Sequence, residues 1–399
     1  MKMEEKSLEV KSNYLKFFAS RLTSVCGDSL QEVAIVILIA YYTNSVFIAG
    51  CITALNALVR ILGSMFAIRL TVSLSPKRML IRLNLLYFLL TFIFYALLQT
   101  NHELHYVVVI AYETLCSLVY TYYKMYVDTM TKLVCVNNAQ ISRLMACDNL
   151  VGIGTTLVSS ILLMYFDVSF FLVFNALSFL LAALLIRSIH VDTAVKNQAL
   201  CSANRHIVPI IRSFVRENRE VFQMIVIMAE LSLFYSAFNI LLQQGINEFD
   251  LHLEFSGLLM GLFNLVSLIF TFLVGYIQTK KILQRVTVLL LLCSLVGLGL
   301  NILDGKGYMF GVIGIYGCLN GGIMTLMVIY IQNSLALTEM ITYKSIYNVL
   351  CGSAIFLTGI VTPMIVEVCH LKGFVTLLSV NCLWLFVWFR KKGITAGSK

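Results

Sequence analysis

Long apolar runs separated by short polar breaks form the main pattern along this chain. Two examples are VFIAGCITALNALVRILGSMFA at 46–67 and VTLLSVNCLWLFVWF at 375–389. A helix needs about 20 mostly apolar residues to cross the hydrocarbon core of a membrane, whereas a barrel strand needs ~10 residues that alternate between apolar and polar. Because these runs are long and do not alternate, the pattern predicts an all-α membrane protein.

The pattern predicts about twelve membrane spans in two groups of six. The groups are separated by the one long polar break, which runs from His190 to Glu220. We therefore divide the chain into an N-terminal six-helix half at 1–189, a linker at 190–218 and a C-terminal six-helix half at 219–399. The spans are predicted at 14–42, 46–70, 79–99, 104–132, 141–165, 168–189, 219–246, 253–277, 283–303, 307–334, 342–367 and 372–390.

The composition supports a membrane protein and excludes two other classes. Apolar residues make up 59% of the 399 residues and charged residues 12%, whereas soluble domains contain about 25% charged residues. A soluble enzyme needs more charge than this, and a disordered chain has the opposite composition. The sequence contains no CxxC pair and no phosphate-binding loop. We therefore expect no enzymatic activity, no metal and no cofactor, so that an ion gradient would supply the energy.

The formal net charge of +9 is explained by membrane topology. Lys and Arg are concentrated in every second polar break, for example at Lys77 and Arg78 and at Lys280 and Lys281. An excess of positive residues is typical of cytoplasmic loops. We therefore expect a multi-pass protein of the cell membrane, with both termini and the linker in the cytoplasm and with no nucleic-acid partner.

The two halves of the chain also resemble each other weakly. A shift of 207 positions places Gly50 on Gly257 and Arg78 on Arg285, and a shift of 201 places Arg143 on Lys344. Paired repeats are typical of secondary transporters, whose substrate site lies near the membrane midplane between the repeats. The alternative interpretation is that two hydrophobic segments align by chance.

Four segments scattered over nearly the whole chain carry a resemblance to a known family. They are SVCGD at 24–28, AG…GSMFA at 49–67, SPKRMLI at 75–81 and RENREVF at 216–222. These segments resemble the major facilitator superfamily, and within it the drug-efflux branch that contains macrolide efflux proteins and the enterobactin exporter. The resemblance implies a proton-driven antiporter that exports a hydrophobic solute or many different solutes.

The loop between the second and third spans departs from the family pattern. The resemblance implies a glycine and an acidic residue where this chain has Ile68 and Val72, while the basic Lys77 and Arg78 remain. In the family that acidic residue helps to lock one state of the transporter. The departure motivates an alternative function, a non-transporting membrane sensor or immunity protein built on a carrier scaffold.

Ionisable residues inside the predicted spans are candidates for the functional site. A charge at the bilayer centre costs about 2.5–3.5 kcal/mol, so such residues are expected to face a cavity or a partner. Asp28 and Glu32 share one face of the first span, and Arg60 lies in the middle of the second. Asp28 could carry the coupling proton or attract a cationic solute, or it could form a permanent ion pair with Arg21 or Arg60.

A polar stripe follows one face of the fourth span. It consists of Glu113, Ser117, Thr121, Lys124 and Asp128, which are spaced three or four residues apart. Glu113 is a cavity candidate. Lys124 could bind a substrate anion, take part in a proton relay or neutralise Asp128 within the helix. By the family resemblance, Asp128 is expected to act as a gate element with Lys77 and Arg78.

Two further carboxyl groups are candidates. Asp148 at the start of the fifth span is a second proton site or a partner of Arg143. Glu230 lies near the middle of the seventh span and is followed by Phe234 and Phe238. An acidic group among aromatic rings suits a hydrophobic or cationic solute, although the same rings could form an ordinary packing face.

These observations predict a secondary active transporter that exports an amphipathic or cationic small molecule in exchange for protons, by alternating access. Proton-coupled uptake of a small solute uses the same carboxyl groups and is the second possibility. We expect a monomer whose partners are the small molecule, protons and the lipid bilayer.

Overall fold

The computed structural model describes residues 2–43, 55–56, 58–67, 75–100, 105–162, 165–190, 207–236, 238, 255–276, 282–303 and 305–391. Nearly all of these residues are helical, which confirms the predicted all-α class. Six of the described helices are long and apolar enough to cross a membrane.

The helices follow the predicted spans closely where they are described, and we number them in chain order. They are α1 Lys2–Thr43, α2 Leu58–Ala67, α3 Pro76–Thr100, α4 His105–Val134, α5 Asn138–Leu162, α6 Val168–Arg187, α7 Ile207–Glu217, α8 Arg219–Ser236, α9 Phe255–Val274, α10 Ile282–Gly299, α11 Gly305–Gly317, α12 Thr325–Ser334 and α13 Met340–Lys391.

Three of these elements add detail that the hydropathy pattern did not predict. The linker contains a short helix, α7, whose Phe214 is buried while Arg212 and Arg216 are exposed. A π-helical segment, Cys318–Met324, joins α11 to α12. Helix α13 is interrupted at His370, where φ is 56°, so it corresponds to the last two predicted spans.

The exposure pattern of α3 is the reverse of that in a soluble protein. Leu89 and Phe92 are more than half exposed, whereas Asn84 and Thr91 are fully buried. Apolar side chains can face outward at no cost when the surroundings are lipid, while polar groups must find partners inside the protein. This pattern is the one expected of a membrane-spanning helix.

Two compact units make up the structure. Unit 1 contains residues 1–136, 150–218 and 336–352, and unit 2 contains residues 137–149, 219–335 and 353–399. Unit 1 thus includes a segment from late in the chain, the first turns of α13, and unit 2 includes the first turns of α5. The predicted domain boundaries stay a prediction.

The interior of unit 1 is built from aromatic rings between α3, α4 and α6. Tyr87 and Phe179 stack with ring centroids 4.4 Å apart, and Tyr123 meets both rings edge-on. Such arrangements add stability beyond the burial of apolar area. Helix α1 approaches α6 closely at Gly27, where a Cβ atom would lie 2.1 Å from the Ser178 Oγ.

The interior of unit 2 depends on close backbone contact between α9 and the π-helical segment. A Cβ atom at Gly321 would lie 1.9 Å from the carbonyl oxygen of Ser267. The Thr271 hydroxyl donates to the Gly321 carbonyl at 3.2 Å, and the Asn320 amide donates to the Ser267 hydroxyl at 2.9 Å. We call Gly321, Asn320, Ser267 and Thr271 the glycine contact.

Candidate functional site

Several buried polar side chains of unit 1 lie on α4 and on the helices that contact it. The first group joins α1 to α4 through Arg21, which is 2% exposed. The Arg21 Nη1 donates to the Tyr123 hydroxyl at 3.0 Å, and the same hydroxyl lies 2.9 Å from the Ser24 Oγ. A buried guanidinium needs hydrogen-bond partners, and the Tyr123 hydroxyl is one of them.

A second buried group links four helices of unit 1. The Gln31 side-chain oxygen accepts hydrogen bonds from the Tyr112 hydroxyl at 2.8 Å and from the Asn175 amide. The Tyr112 hydroxyl also lies 2.9 Å from the Thr91 hydroxyl. Sequence reasoning missed this network, and the available signal was that Thr91 and Asn175 are single polar positions inside apolar runs.

Asp28 lies between these two groups on α1 and is half-buried. Its carboxylate interacts electrostatically with the Tyr87 and Cys116 side chains. The Arg21 guanidinium donates to the Tyr123 hydroxyl, and Arg60 lies over the Tyr120 ring. The predicted ion pair of Asp28 with either arginine stays a prediction. Glu32 belongs to α1, but its side chain lies outside the described part of the structure.

Arg60 meets the polar stripe of α4. Its guanidinium carbon lies 5.0 Å from the centroid of the Tyr120 ring, and the Lys124 ammonium lies 5.6 Å from the same centroid. Two cations thus converge on one aromatic ring, an attractive arrangement because the ring face carries negative potential. We call Arg60 and Lys124 the cation pair; Tyr120 is the ring that both contact.

Glu113 contacts α2 near the other end of the stripe. The Asn56 amide donates to the Glu113 Oε2 at 3.3 Å. Asn56 lies two residues before α2, and Arg60 lies within it. The stripe therefore contacts Asn56 through the Glu113 carboxylate and Arg60 through the Tyr120 ring.

Asp128 forms a salt bridge with Lys344, 2.8 Å between the carboxylate oxygen and the ammonium nitrogen. The two side chains are 22% and 17% exposed. The Lys344 ammonium also lies 4.5 Å from the centroid of the Tyr347 ring. This pair joins the end of α4 to the first turns of α13, and therefore joins the two halves of the sequence within unit 1.

The structure places Asp128 on Lys344, whereas the resemblance implied a gate with Lys77 and Arg78, and that gate stays a prediction. The Lys77 ammonium donates instead to the Ile189 carbonyl at 2.6 Å, and Arg78 is exposed. Sequence reasoning noted Lys344 only as the repeat equivalent of Arg143. The residues are 216 positions apart, so the pairing is a property of the tertiary structure.

Glu339 makes further polar contacts near the end of α4 that contains Asp128. Its Oε1 accepts a hydrogen bond from the Asn218 amide at 2.7 Å, and its carboxylate attracts Lys132 at the end of α4. Burial raises the pKa of the Cys135 thiol in the following loop to about 12. Asp128, Lys344, Glu339 and Lys132 form the end cluster of unit 1.

Glu230 is the candidate acidic group of unit 2. It is half-buried on α8, next to the Asn381 amide of α13, and interacts electrostatically with Cys382. The neighbouring rings are engaged in packing: Phe238 lies 4.4 Å from Phe263 and Phe234 lies 5.7 Å from Phe374, centroid to centroid. These contacts favour the packing interpretation of the aromatic residues over a solute-binding cage.

Asp148 lies in unit 2 and is partly buried beside Cys147, while Arg143 is exposed. Within the described residues, no group of three His, Cys, Asp or Glu side chains is arranged to hold a metal ion.

Solved structures share this fold over nearly the whole chain. A bacterial homologue of the iron transporter ferroportin, in an outward-facing state, has a TM-score of 0.71 and 13% identity, and covers 95% of this chain and 99% of its own. The human organic anion transporter MFSD10 (TETRAN) has a TM-score of 0.75 and 11% identity, with 95% and 99% coverage. The E. coli fucose:proton symporter FucP has a TM-score of 0.70 and 13% identity, with 94% and 97% coverage.

These identities are low, so the likeness shows the fold alone. No curated protein sequence matches this chain. The sequence profile of the Major Facilitator Superfamily, in contrast, matches residues 17–359, which is most of the chain. The profile and the fold confirm a multi-pass membrane transporter rather than an enzyme, while the predicted drug-efflux branch stays a prediction. The chain belongs to the Major Facilitator Superfamily.

Proposed function

We propose that the protein exports an amphipathic small molecule in exchange for protons, by alternating access. In this proposal it resides in the cytoplasmic membrane as a monomer, with both termini in the cytoplasm and the proton gradient as its energy source. The neighbours include proton symporters, which supports coupling to protons.

The salt bridge between Asp128 and Lys344 is the observation that carries this proposal. Alternating access needs contacts that form when one end of the transporter closes and break when it opens. Asp128 comes from the N-terminal half and Lys344 from the C-terminal half, so the pair acts as a latch. Partly exposed ion pairs contribute about 0–1 kcal/mol, which suits a latch because it opens at small cost.

Half-buried carboxyl groups supply the coupling sites. Asp28 in unit 1 and Glu230 in unit 2 each lie beside hydroxyl, thiol or amide groups within the helical interior. A carboxyl group at such depth can be carried through the cycle either charged or protonated, and the two forms differ in their cost of desolvation. Protonation of Asp28 would lower the cost of closing the path after the solute has left.

Proton flux in liposomes tests the proposal. We would reconstitute the purified protein with a pH-sensitive dye in the lumen and add lipophilic cations, macrolides and aromatic carboxylates. Antiport moves protons opposite to the solute, whereas symport moves them with it, so the sign of the dye signal distinguishes export from the uptake alternative. We expect an antiport signal that is lost in Asp28→Asn and retained in the matched control Asp167→Asn, because Asp167 is exposed.

Two other outcomes would contradict export and favour one of the alternative functions. Solute-dependent flux in the symport direction would replace export by uptake. A folded, inserted protein that gives no flux with any compound would support the non-transporting sensor and contradict the proposal.

A further inference from the structure

We propose that helix α7 binds an anionic phospholipid, with Arg212 and Arg216 on the phosphate and with Ile211 and Val215 against the start of the acyl chains. The lipid belongs to the cytoplasmic leaflet, because the positive charge of the linker predicts that it lies on that side of the membrane. The lipid site is independent of the solute that is transported, so it goes beyond the proposed function.

Two parallel rows of side chains on α7 are the first observation. Ile211 and Val215 are four residues apart, and so are Arg212 and Arg216, so each pair follows one line along the helix. The two aliphatic residues are half-buried and the two arginines are exposed. The helix therefore presents a cationic row directly beside an aliphatic row, as amphipathic helices at a membrane interface do.

Open space beside these rows is the second observation. A surface groove of about 570 Å³ is lined, among the described residues, by Ile211, Arg212, Val215 and Arg216. A neighbouring groove of about 490 Å³ is also lined by both arginines. The two guanidinium groups thus border the same space, and one side of the first groove is aliphatic.

The position of the nearest carboxylate is the third observation. The Glu217 Oε1 accepts a hydrogen bond from the Ser213 hydroxyl at 2.7 Å. Successive residues of a helix are about 100° apart, so Ser213 lies nearly opposite Ile211. Within the part of the chain that the structure describes, neither Arg212 nor Arg216 forms an ion pair. Their planar forks are well matched to phosphate oxygens.

The attachment of α7 to unit 1 is the fourth observation. Phe214 is 4% exposed, and the Asn218 amide donates to the Glu339 Oε1 at 2.7 Å. Glu339 directly precedes α13, and its carboxylate attracts Lys132 at the end of α4. Helix α7 is therefore held at a level where long helices end, and the predicted seventh span begins at Arg219. Lipid headgroups lie at the level of such helix ends.

The combination of charge and apolar surface indicates a lipid as the occupant. A free phosphate ion would pair with Arg212 and Arg216 but would leave the aliphatic row uncovered. An anionic phospholipid supplies a phosphate for the cations and hydrocarbon for Ile211 and Val215. Anionic lipids of the cytoplasmic leaflet also attract basic segments that lie close to the membrane.

A lipid titration followed by native mass spectrometry tests the proposal. The purified full-length protein in a neutral detergent is titrated with phosphatidylglycerol or with phosphatidylcholine that has the same acyl chains. We expect the first phosphatidylglycerol to bind more tightly than the first phosphatidylcholine. The double variant Arg212→Gln with Arg216→Gln should bind phosphatidylglycerol about thirty-fold more weakly, and each single variant about five-fold more weakly. Binding of phosphatidylcholine should not change.

Matched variants separate loss of the site from loss of charge or of folding. Arg212→Lys with Arg216→Lys keeps both charges and should retain most of the affinity. Arg285→Gln with Arg390→Gln removes the same net charge from exposed positions of unit 2 and should leave the first phosphatidylglycerol bound. Because Arg212 and Arg216 are exposed, their double Gln variant should keep the wild-type melting temperature without added lipid.

Three outcomes would overturn the lipid site. They are equal affinity of the wild type for both lipids, unchanged affinity in Arg212→Gln with Arg216→Gln, and displacement of the lipid by an equal concentration of glycerol phosphate. The last of these would show a site for free phosphate esters. Proton flux plays no part in the titration, so failure of the proposed export leaves the lipid site standing, and loss of the lipid site leaves the proposed export standing.

Discussion

The polar stripe of unit 1 and the glycine contact of unit 2 use non-apolar positions in different ways. The stripe places charged groups at separate levels along α4, with Glu113 on Asn56 and Asp128 on Lys344. The glycine contact carries no charge and brings the Gly321 backbone against the Ser267 carbonyl. The comparison shows that charged side chains make contacts along α4 in unit 1, whereas this part of unit 2 provides close packing around an irregular helix.

The glycine contact involves two residues of the π-helical segment, Asn320 and Gly321. π-Helical turns are rare and occur frequently at functional sites. Asn320 and Gly321 of this segment form hydrogen bonds with Ser267 and Thr271 of α9. A helix that holds this shape through hydrogen bonds to its neighbour can change shape if those bonds are exchanged.

The largest expected effect comes from breaking the glycine contact. In Gly321→Ala the new Cβ would lie 1.9 Å from a backbone oxygen, which cannot rotate away as a side chain can. We expect a loss of about 3 kcal/mol in unfolding free energy. The melting temperature in detergent measures it, with Gly314→Ala as control because no heavy atom lies within 4 Å of its Cβ position. Equal melting temperatures for both variants would contradict the close contact.

The next largest loss of stability is expected in unit 1, at the buried guanidinium of Arg21. Tyr123→Phe removes the hydroxyl that accepts from Arg21 and contacts Ser24, and leaves the aromatic packing intact. An unsatisfied buried donor costs about 1–3 kcal/mol. Thermal unfolding should show a clear decrease, whereas Tyr165→Phe should show none, because Tyr165 is 78% exposed. An unchanged melting temperature in Tyr123→Phe would show that the hydroxyl is not needed.

A smaller effect is expected where a glycine meets a side chain instead of the backbone. In Gly27→Ala the new Cβ would meet the Ser178 Oγ at 2.1 Å, the Asn175 Oδ1 at 2.3 Å and the Ser178 Cβ at 2.8 Å, all of them side-chain atoms. We expect a cost of about 1–2 kcal/mol. The double variant with Ser178→Ala should cost less than the sum of the single changes, which a double-mutant cycle of unfolding measures. Gly154→Ala, with no heavy atom within 4 Å, is the control.

The smallest effect on stability, with the largest effect on transport, is expected at the latch. Asp128→Asn should change the unfolding free energy by less than about 1 kcal/mol, because the pair is partly exposed. Solute-dependent flux should fall in Asp128→Asn and recover in the exchanged pair Asp128→Lys with Lys344→Asp. Flux that is unchanged in Asp128→Asn would remove the latch from the mechanism.

Much of the fold could be predicted from the sequence because hydropathy acts locally. The predicted span at 307–334 agrees with the structure from Gly305 to Ser334, and the predicted break after 367 agrees with the interruption at His370. The irregular elements were not predictable in this way. The π-helical segment Cys318–Met324 depends on contacts with α9, and hydropathy averages over such contacts.

The candidate site could likewise be predicted only in part from the sequence. Glu113, Lys124 and Asp128 were assigned to one stripe because helical periodicity places residues three or four apart on one face. Their partners Asn56, Tyr120 and Lys344 include residues of other helices. Nothing in the local sequence indicates which distant residue a helix face will meet.

The sequence by itself determined that this chain is a helical membrane protein, where its spans lie and which ionisable groups they contain. A bilayer imposes these properties residue by residue, through the cost of exposing polar groups to lipid. Only the tertiary structure decided that Asp128 pairs with Lys344, that Arg60 and Lys124 share Tyr120, and that Gly321 meets α9. Such pairings depend on helix packing, which is set by shape complementarity between segments far apart in the chain.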